Sequence, residues 1–147
     1  NFLIDIDGTI CEDIPNEEPE RMPGATPISG ARDAVNKWYN EGHIITFFTS
    51  RTEAHREVTE AWIQKHGFAY HGLLMGKPRG GNYHWIDDRT VEATQFNGTW
   101  SPLVKKMHQR CLKTPLDAYA IMDVYEKSNH LHNAKLSLLP HGKRIFY

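Results

Sequence analysis

The sequence lacks any apolar run approaching the roughly 18 uninterrupted residues that a membrane-crossing helix needs, so no spanning helix is expected. Cysteine is scarce: Cys11 and Cys111 are the chain's two. They are too few for a multi-bridge framework and form no C-x-x-C pair, so both are read as reduced thiols of a cytoplasmic protein. A surplus of one charge sign is also missing. The net charge of -1 gives no large basic footprint of the kind nucleic acid requires. No basic stretch, apolar run and small-residue cleavage site opens the chain, and export is not expected. Repeats, linkers and low-complexity tracts are absent as well. The 147 residues fit one compact domain, which buries roughly 68–70% of the surface its unfolded form exposes.

What is present alternates between strand and helix signals. Residues 2–6 form a short β-type run ending in Asp5-Ile6-Asp7-Gly8-Thr9, where a glycine permits a sharp turn. Residues 11–27 are rich in Pro, Glu and Asp and read as a loop or small flap. A helix follows, with Ser29 as N-cap, a stripe of Ala31, Ala34, Val35, Trp38 and Tyr39, and Gly42 as its stop. The apolar run 44–48 has the composition of a parallel strand covered on both faces, and it ends in Thr49-Ser50-Arg51. The next helix opens with Ser50 and Glu53 at capping-box spacing, carries Val58, Ala61 and Trp62 on one face, and stops before Gly67. Residues 73–75 and 83–86 read as two more strands, followed by Lys77 and by Asp87-Asp88 respectively. Beyond them, Ser101-Pro102 and Thr114-Pro115 announce helices over about 102–112 and 115–127. Residues 105–147 are expected to pack on the rest as a mainly helical extension, whose last twenty residues add a strand or wrap the core. Trp38, Trp62 and Trp85 are assigned to the core.

Four strands thus deliver charged or hydroxyl groups to one edge, the edge where open α/β sheets bind ligands. Asp5 and Asp7 taken alone favour a solvated turn or a simple cation site over a catalytic pair. Their company with Lys77, Asp87 and Asp88 changes the reading, because gathered carboxylates repel unless a cation neutralises them. All-oxygen ligation suits Mg²⁺. The run Gly76-Lys77-Pro78-Arg79-Gly80-Gly81 lacks the spacing of a nucleotide-binding P-loop, and His130 and His132 lack the partners of a zinc site.

The Asp-x-Asp-Gly-Thr strand end, the hydroxyl after the second strand, the downstream lysine and the paired aspartates resemble, in order, the four motifs of haloacid dehalogenase-like (HAD) hydrolases. The likeness covers roughly residues 2–96. Carried over position by position, it makes Asp5 the nucleophile and Asp7 the general acid and base. It gives Thr49 a hydrogen bond to a phosphoryl oxygen, with Ser50 a weaker match better used as a helix cap, and sets Lys77 against the phosphoryl charge. The metal would take Asp5, the Asp7 carbonyl and Asp88, with Asp87 orienting Asp88 or binding a metal water. The backbone of Ile6, Gly8 and Thr9 would offer amides to phosphate. Arg51 and Arg79 flank motif residues, where each can clamp a second anionic group or lie in solvent.

The resemblance implies a three-layer α/β/α sandwich with a central, mainly parallel sheet and no large cap domain, since about twenty residues separate Asp7 from the first helix and Leu74 runs almost directly to Lys77. It is similar to small phosphatases of capsule and surface-sugar synthesis. The expected activity is Mg²⁺-dependent hydrolysis of a phosphomonoester through an aspartyl-phosphate, with a sugar phosphate as leading substrate. The 11–27 flap, the C-terminal segment or another copy of the chain in a homo-oligomer would screen the open site. The competing readings are a nucleic-acid end phosphatase or nucleotidase, since Ile86-Asp87-Asp88-Arg89-Thr90 also resembles the phosphatase half of polynucleotide kinase, and a non-catalytic phosphate-binding module.

Overall fold

The computed structural model describes residues 1–101, 103, 136–138 and 144–146. Three parallel strands, β1 (Phe2–Ile4), β2 (Ile45–Phe48) and β3 (Gly72–Leu74), lie in the order β1-β2-β3. Phe2 pairs with Ile45 and Ile4 with Phe47; Phe47 then pairs with Leu73 across the second ladder. Because side chains alternate along a strand, this register sends Phe2, Ile4, Ile45, Phe47 and Leu73 to one face. Two helices, α1 (Ala31–Asn40) and α2 (Arg56–Lys65), make the crossovers and complete a shared core with that face. The chain is therefore an α/β fold.

Helix α1 forms where the apolar spacing placed it, and Ala31, Ala34, Val35 and Trp38 are all buried. Trp38 stacks on Phe2 with centroids 4.4 Å apart and planes 2° from parallel, which fixes the helix over β1. The start of the helix departs from expectation. Gly30, at φ 80°, is the cap residue, and Ser29 makes no capping hydrogen bond. The Ala31 N–H donates to the Ile28 carbonyl instead, 3.1 Å away, so one of the first-turn amides is satisfied by the turn itself. Helix α2 differs similarly: Ser50 and Glu53 form no capping box, because a short 3₁₀ turn over Glu53–His55 intervenes and the α-helix begins at Arg56. Its buried face is Thr59, Trp62 and Ile63. Gly42 and Gly67 end the two helices as read.

The 11–27 segment is a loop, but an anchored one. Ile14, Met22 and Ala25 are buried, a 3₁₀ turn runs over Pro19–Gly24, and the Trp62 indole N–H donates to the Ala25 carbonyl at 2.9 Å. Its two ends are tied by Glu12 N–H to Thr26 O and Ile28 N–H to Ile10 O, each 2.9 Å.

Two further expectations are corrected. Residues 83–86 form no strand, and Trp85 and Ile86 are exposed rather than in the core. Local bonds compete with a ladder here: the Trp85 indole donates to Asp87 Oδ2, and Asp87 Oδ1 accepts from the Arg89 N–H, an Asx-type turn. On the second face of the sheet Leu3 and Leu74 are exposed, and the described helices pack on the first. Trp100, not singled out in the sequence, is instead buried against Trp38 and Phe96. Near the chain's end, β4 (Leu136–Leu138) and β5 (Arg144–Phe146) pair antiparallel in a separate two-stranded sheet. The helices expected over 102–112 and 115–127 lie outside the described residues apart from the helical Ser101 and Leu103, as do Cys111 and most of the 105–147 extension. No helix among the described residues is long and apolar enough to cross a membrane.

The α1 to β3 connection hangs on one side chain. Asn36 donates from Nδ2 to the Gly67 carbonyl at 2.8 Å and accepts at Oδ1 from the Ala69 N–H at 2.7 Å. Asn36→Ala leaves a partly buried N–H without its acceptor and is expected to lower unfolding free energy by about 1–3 kcal/mol, read from urea denaturation at unchanged m-value.

Candidate functional site

The carboxyl ends of β2 and β3 are laced together by main-chain hydrogen bonds. Thr49 N–H donates to Leu74 O at 2.9 Å, Lys77 N–H to Thr49 O at 2.8 Å and Gly76 N–H to Arg51 O at 2.8 Å. These bonds carry the chain after β3 back across the end of β2 and so bring Lys77 to β1. Lys77 Nζ lies 2.6 Å from Asp5 Oδ1, with the lysine side chain 12% and the aspartate 37% exposed. The Lys77 ammonium sits between the Phe48 and Tyr83 rings, 6.0 and 5.7 Å from their centroids.

Asp7 has a different partner. Arg51 Nε donates to its Oδ2 at 2.9 Å and Arg51 Nη2 to its Oδ1 at 2.7 Å, a bidentate fork. The Arg51 side chain is fully buried, Asp7 only 11% exposed. Arg51 Nη1 donates to Thr59 Oγ1 at 3.1 Å, while that hydroxyl donates onward to the His55 carbonyl at 2.7 Å. Thr49 is buried, and its Oγ1 accepts the Arg51 N–H at 3.1 Å. Of the two situations left open for Arg51, the structure shows neither: it is an interior cation bound to Asp7, because the α2 hydroxyl and the β1 carboxylate satisfy it without water.

The turn after Asp5 is tight. The Ile6 carbonyl accepts from Thr9, Ile10 and Cys11 N–H groups, and the Gly8 N–H donates to Cys11 O at 2.9 Å. Gly8 sits at φ 73°, a conformation that glycine adopts without strain. The amides of Gly8 and Thr9, expected to face phosphate, are thus donors inside the turn, and the Ile6 side chain is in the core. Trp100 braces the turn from outside, its indole N–H donating to Thr9 O at 3.0 Å.

Cys11 is a buried free thiol 3.8 Å from Asp7 Oδ1. Burial, and then the Asp7 charge, push it from an ordinary 9.0 up to about 12. Ser50 is half-buried, and its carbonyl accepts from Asn16 Nδ2 at 2.8 Å. Arg79 is exposed and pairs with Glu17 of the 11–27 loop at 2.8 Å, which holds the Glu17 carboxyl below its usual range.

Asp87 and Asp88 do not join this edge. Both are exposed, Asp88 lies beside Arg89, and hydrogen bonds from Trp85 and Arg89 hold the Asp87 carboxyl low. No cluster of three His, Cys, Asp or Glu side chains able to hold a metal occurs among the described residues. The local turn around Asp87 that replaces the expected strand is the cause. Asn16, Thr59, Tyr83 and Trp100 were not found from sequence: Asn16 and Trp100 belong to the site through partners distant along the chain, and Thr59 and Tyr83 through local turns that bring them to Arg51 and Lys77.

Breaking the buried fork leaves one uncompensated charge in the interior. Arg51→Met is expected to lower stability by about 3–5 kcal/mol, with Asp7→Asn in the same chain recovering part of the loss in a double-mutant cycle. The raised Cys11 proton affinity predicts that this thiol resists alkylation at pH 8 until the chain is denatured, as read by mass-spectrometric peptide mapping. Its stabilising share is complete below about pH 9 and falls as pH rises toward about 12, since the unfolded thiol ionises first.

A family model described as the PITM 1-3, LNS2 domain matches residues 2–84. Among solved structures, the crystal structure of an MCSG target from Vibrio cholerae is similar at 20% identity, covering 74% of this chain and 96% of that chain with a TM-score of 0.48. No curated protein matches. The matched residues span more than half of the chain and include all three strand ends that meet at Asp5, so this protein belongs to the PITM 1-3 LNS2-domain family.

Proposed function

We propose that this chain is a phosphatase-type hydrolase of a phosphomonoester, with Asp5 as the nucleophile. The observation that carries the reading is the pair at the sheet edge: a partly exposed strand-end carboxylate with an ammonium 2.6 Å away. An Asp5 oxygen that attacks phosphorus forms an acyl phosphate as the P–O bond to the leaving group breaks, and water then cleaves the acyl phosphate to restore Asp5. Lys77 would offset charge on the transferring group's oxygens, a role supported by the two rings beside its ammonium, which restrict its hydration. Membership of the LNS2 family and the order of the HAD-like motifs support the same chemistry. The capless three-layer architecture, a single domain over 1–147, a cytoplasmic setting and a small phosphorylated metabolite such as a sugar phosphate as substrate belong to this proposal.

Magnesium is the proposed cofactor. It commonly binds through one or two carboxylates, waters and substrate phosphate, and it would supply positive charge beside the phosphoryl group. Asp5 fits that role, with the Asp7 carbonyl as the further ligand the HAD resemblance implies. The carboxylates of Asp7, Asp87 and Asp88 do not converge with it in the described structure, and no step is assigned to them through a metal.

The Asp7–Arg51 fork favours a second reading. Both Asp7 oxygens are paired with the Arg51 guanidinium, so a proton there would remove the charge that the fork neutralises, and a chain without a proton donor at this position would bind phosphate rather than turn it over. Hydrolysis of 4-nitrophenyl phosphate with Mg²⁺ separates the two. Asp5→Asn is expected to abolish turnover and Lys77→Met to reduce kcat by about 10²–10³-fold, both with unchanged folding by circular dichroism. A chelator should remove activity that Mg²⁺ restores. Tight phosphate binding without turnover in the unmodified chain establishes the binding module instead.

A further inference from the structure

We infer that Tyr83 is a specificity-determining residue of the Asp5 site, presenting its ring face to the ring of a cyclic leaving group, such as a sugar or an aryl group, on the phosphomonoester. The inference rests on the phosphomonoester reading and names the part of the substrate beyond phosphate.

The loop after β3 doubles back on itself. Gly76, Gly80, Gly81 and Asn82 all have positive φ, and this succession of left-handed turns returns Tyr83 to Lys77, six residues earlier in the chain. The Tyr83 hydroxyl donates to the Pro78 carbonyl and closes the reversal. The ring then lies 5.7 Å from Lys77 Nζ, which is itself 2.6 Å from Asp5 Oδ1, so ring and nucleophile are no farther apart than these two steps combined. A phosphoryl group held by Asp5 and Lys77 therefore brings its ester substituent to the Tyr83 neighbourhood.

Phe48, the other ring beside Lys77, is half-buried as part of β2, whereas Tyr83 is 57% exposed. This ring is tethered by its hydroxyl, open to solvent, and borders the partly exposed Asp5 carboxylate through Lys77. A flat face of this kind gains most from another ring laid against it, either an aryl group or the C–H face of a pyranose. It offers an acyclic chain less. Arg79 and Glu17, paired on the same loop and on the 11–27 segment, add a polar margin able to meet hydroxyl groups.

The test compares glucose 6-phosphate and phenyl phosphate with glycerol 3-phosphate in the full chain. Tyr83→Ala is expected to lower the ratio of kcat/KM for each cyclic ester over the acyclic one by about tenfold, mainly through KM, and Tyr83→Phe to keep that ratio within about twofold. A proportional loss on all three esters means that Tyr83 acts only by holding Lys77, and it overturns the inference. An unchanged ratio in Tyr83→Ala overturns it too, as does a Tyr83→Phe variant that falls as far as Tyr83→Ala. If the unmodified chain turns over none of the three, the hydrolytic reading fails. The inference is then decided by calorimetric Kd: selective weakening for the cyclic esters in Tyr83→Ala supports it, and equal weakening or none overturns it.

Discussion

Arg51 carries a permanent charge to full burial, and the arrangement of the strand ends follows from satisfying it. An unpaired guanidinium in the interior would cost several kcal/mol in lost hydration, so every polar group within reach is recruited. Its fork binds Asp7 at the end of β1, and Nη1 binds Thr59 on α2. Its own N–H reaches Thr49 Oγ1 at the end of β2, and its carbonyl accepts the Gly76 N–H after β3. One residue thus touches all three strand ends and the helix beside them, and their relative positions cannot shift without exposing or orphaning part of this network.

That network gives the two aspartates of one turn opposite situations. Asp7 is nearly buried and has both oxygens bound by the Arg51 fork, while Asp5 is partly exposed, with an ammonium rather than a guanidinium as partner. A guanidinium fork is rigid and strongly directional; a lysine on a flexible stem can follow a charge as it moves onto a phosphoryl oxygen. The asymmetry supports the proposal that Asp5 is the reacting group, with Asp7 as the brace that holds the turn beside the buried Cys11 thiol and the Trp100 indole.

The polar 11–27 segment completes the surroundings. Its composition argues for a loop or small flap, and Ile14, Met22 and Ala25 turn inward and leave Asn16 and Glu17 to reach Ser50 and Arg79. A loop pinned at several points holds its shape without being a domain, and this one reaches the residues next to Thr49 and just after Lys77.

The α/β character, the α1 stripe from Ala31 to Trp38, the ends of both helices at Gly42 and Gly67, and the presence of Asp5, Thr49 and Lys77 at strand ends were legible from the sequence. Each rests on a period of 2 or 3.6 residues or on a turn residue, signals confined to a few positions along the chain. The helix starts were not, because Gly30 and the turn over Glu53–His55 satisfy the first amides by backbone geometry, which leaves no side-chain signature. Nor was residues 83–86 as coil: an apolar run becomes a strand only when an edge receives it, and Asp87 instead captured the Trp85 and Arg89 N–H groups. The burial of Arg51 was decided by the tertiary structure alone, since its charge is neutralised by a carboxylate 44 residues earlier, and sequence carries no record of which distant group will arrive to replace water.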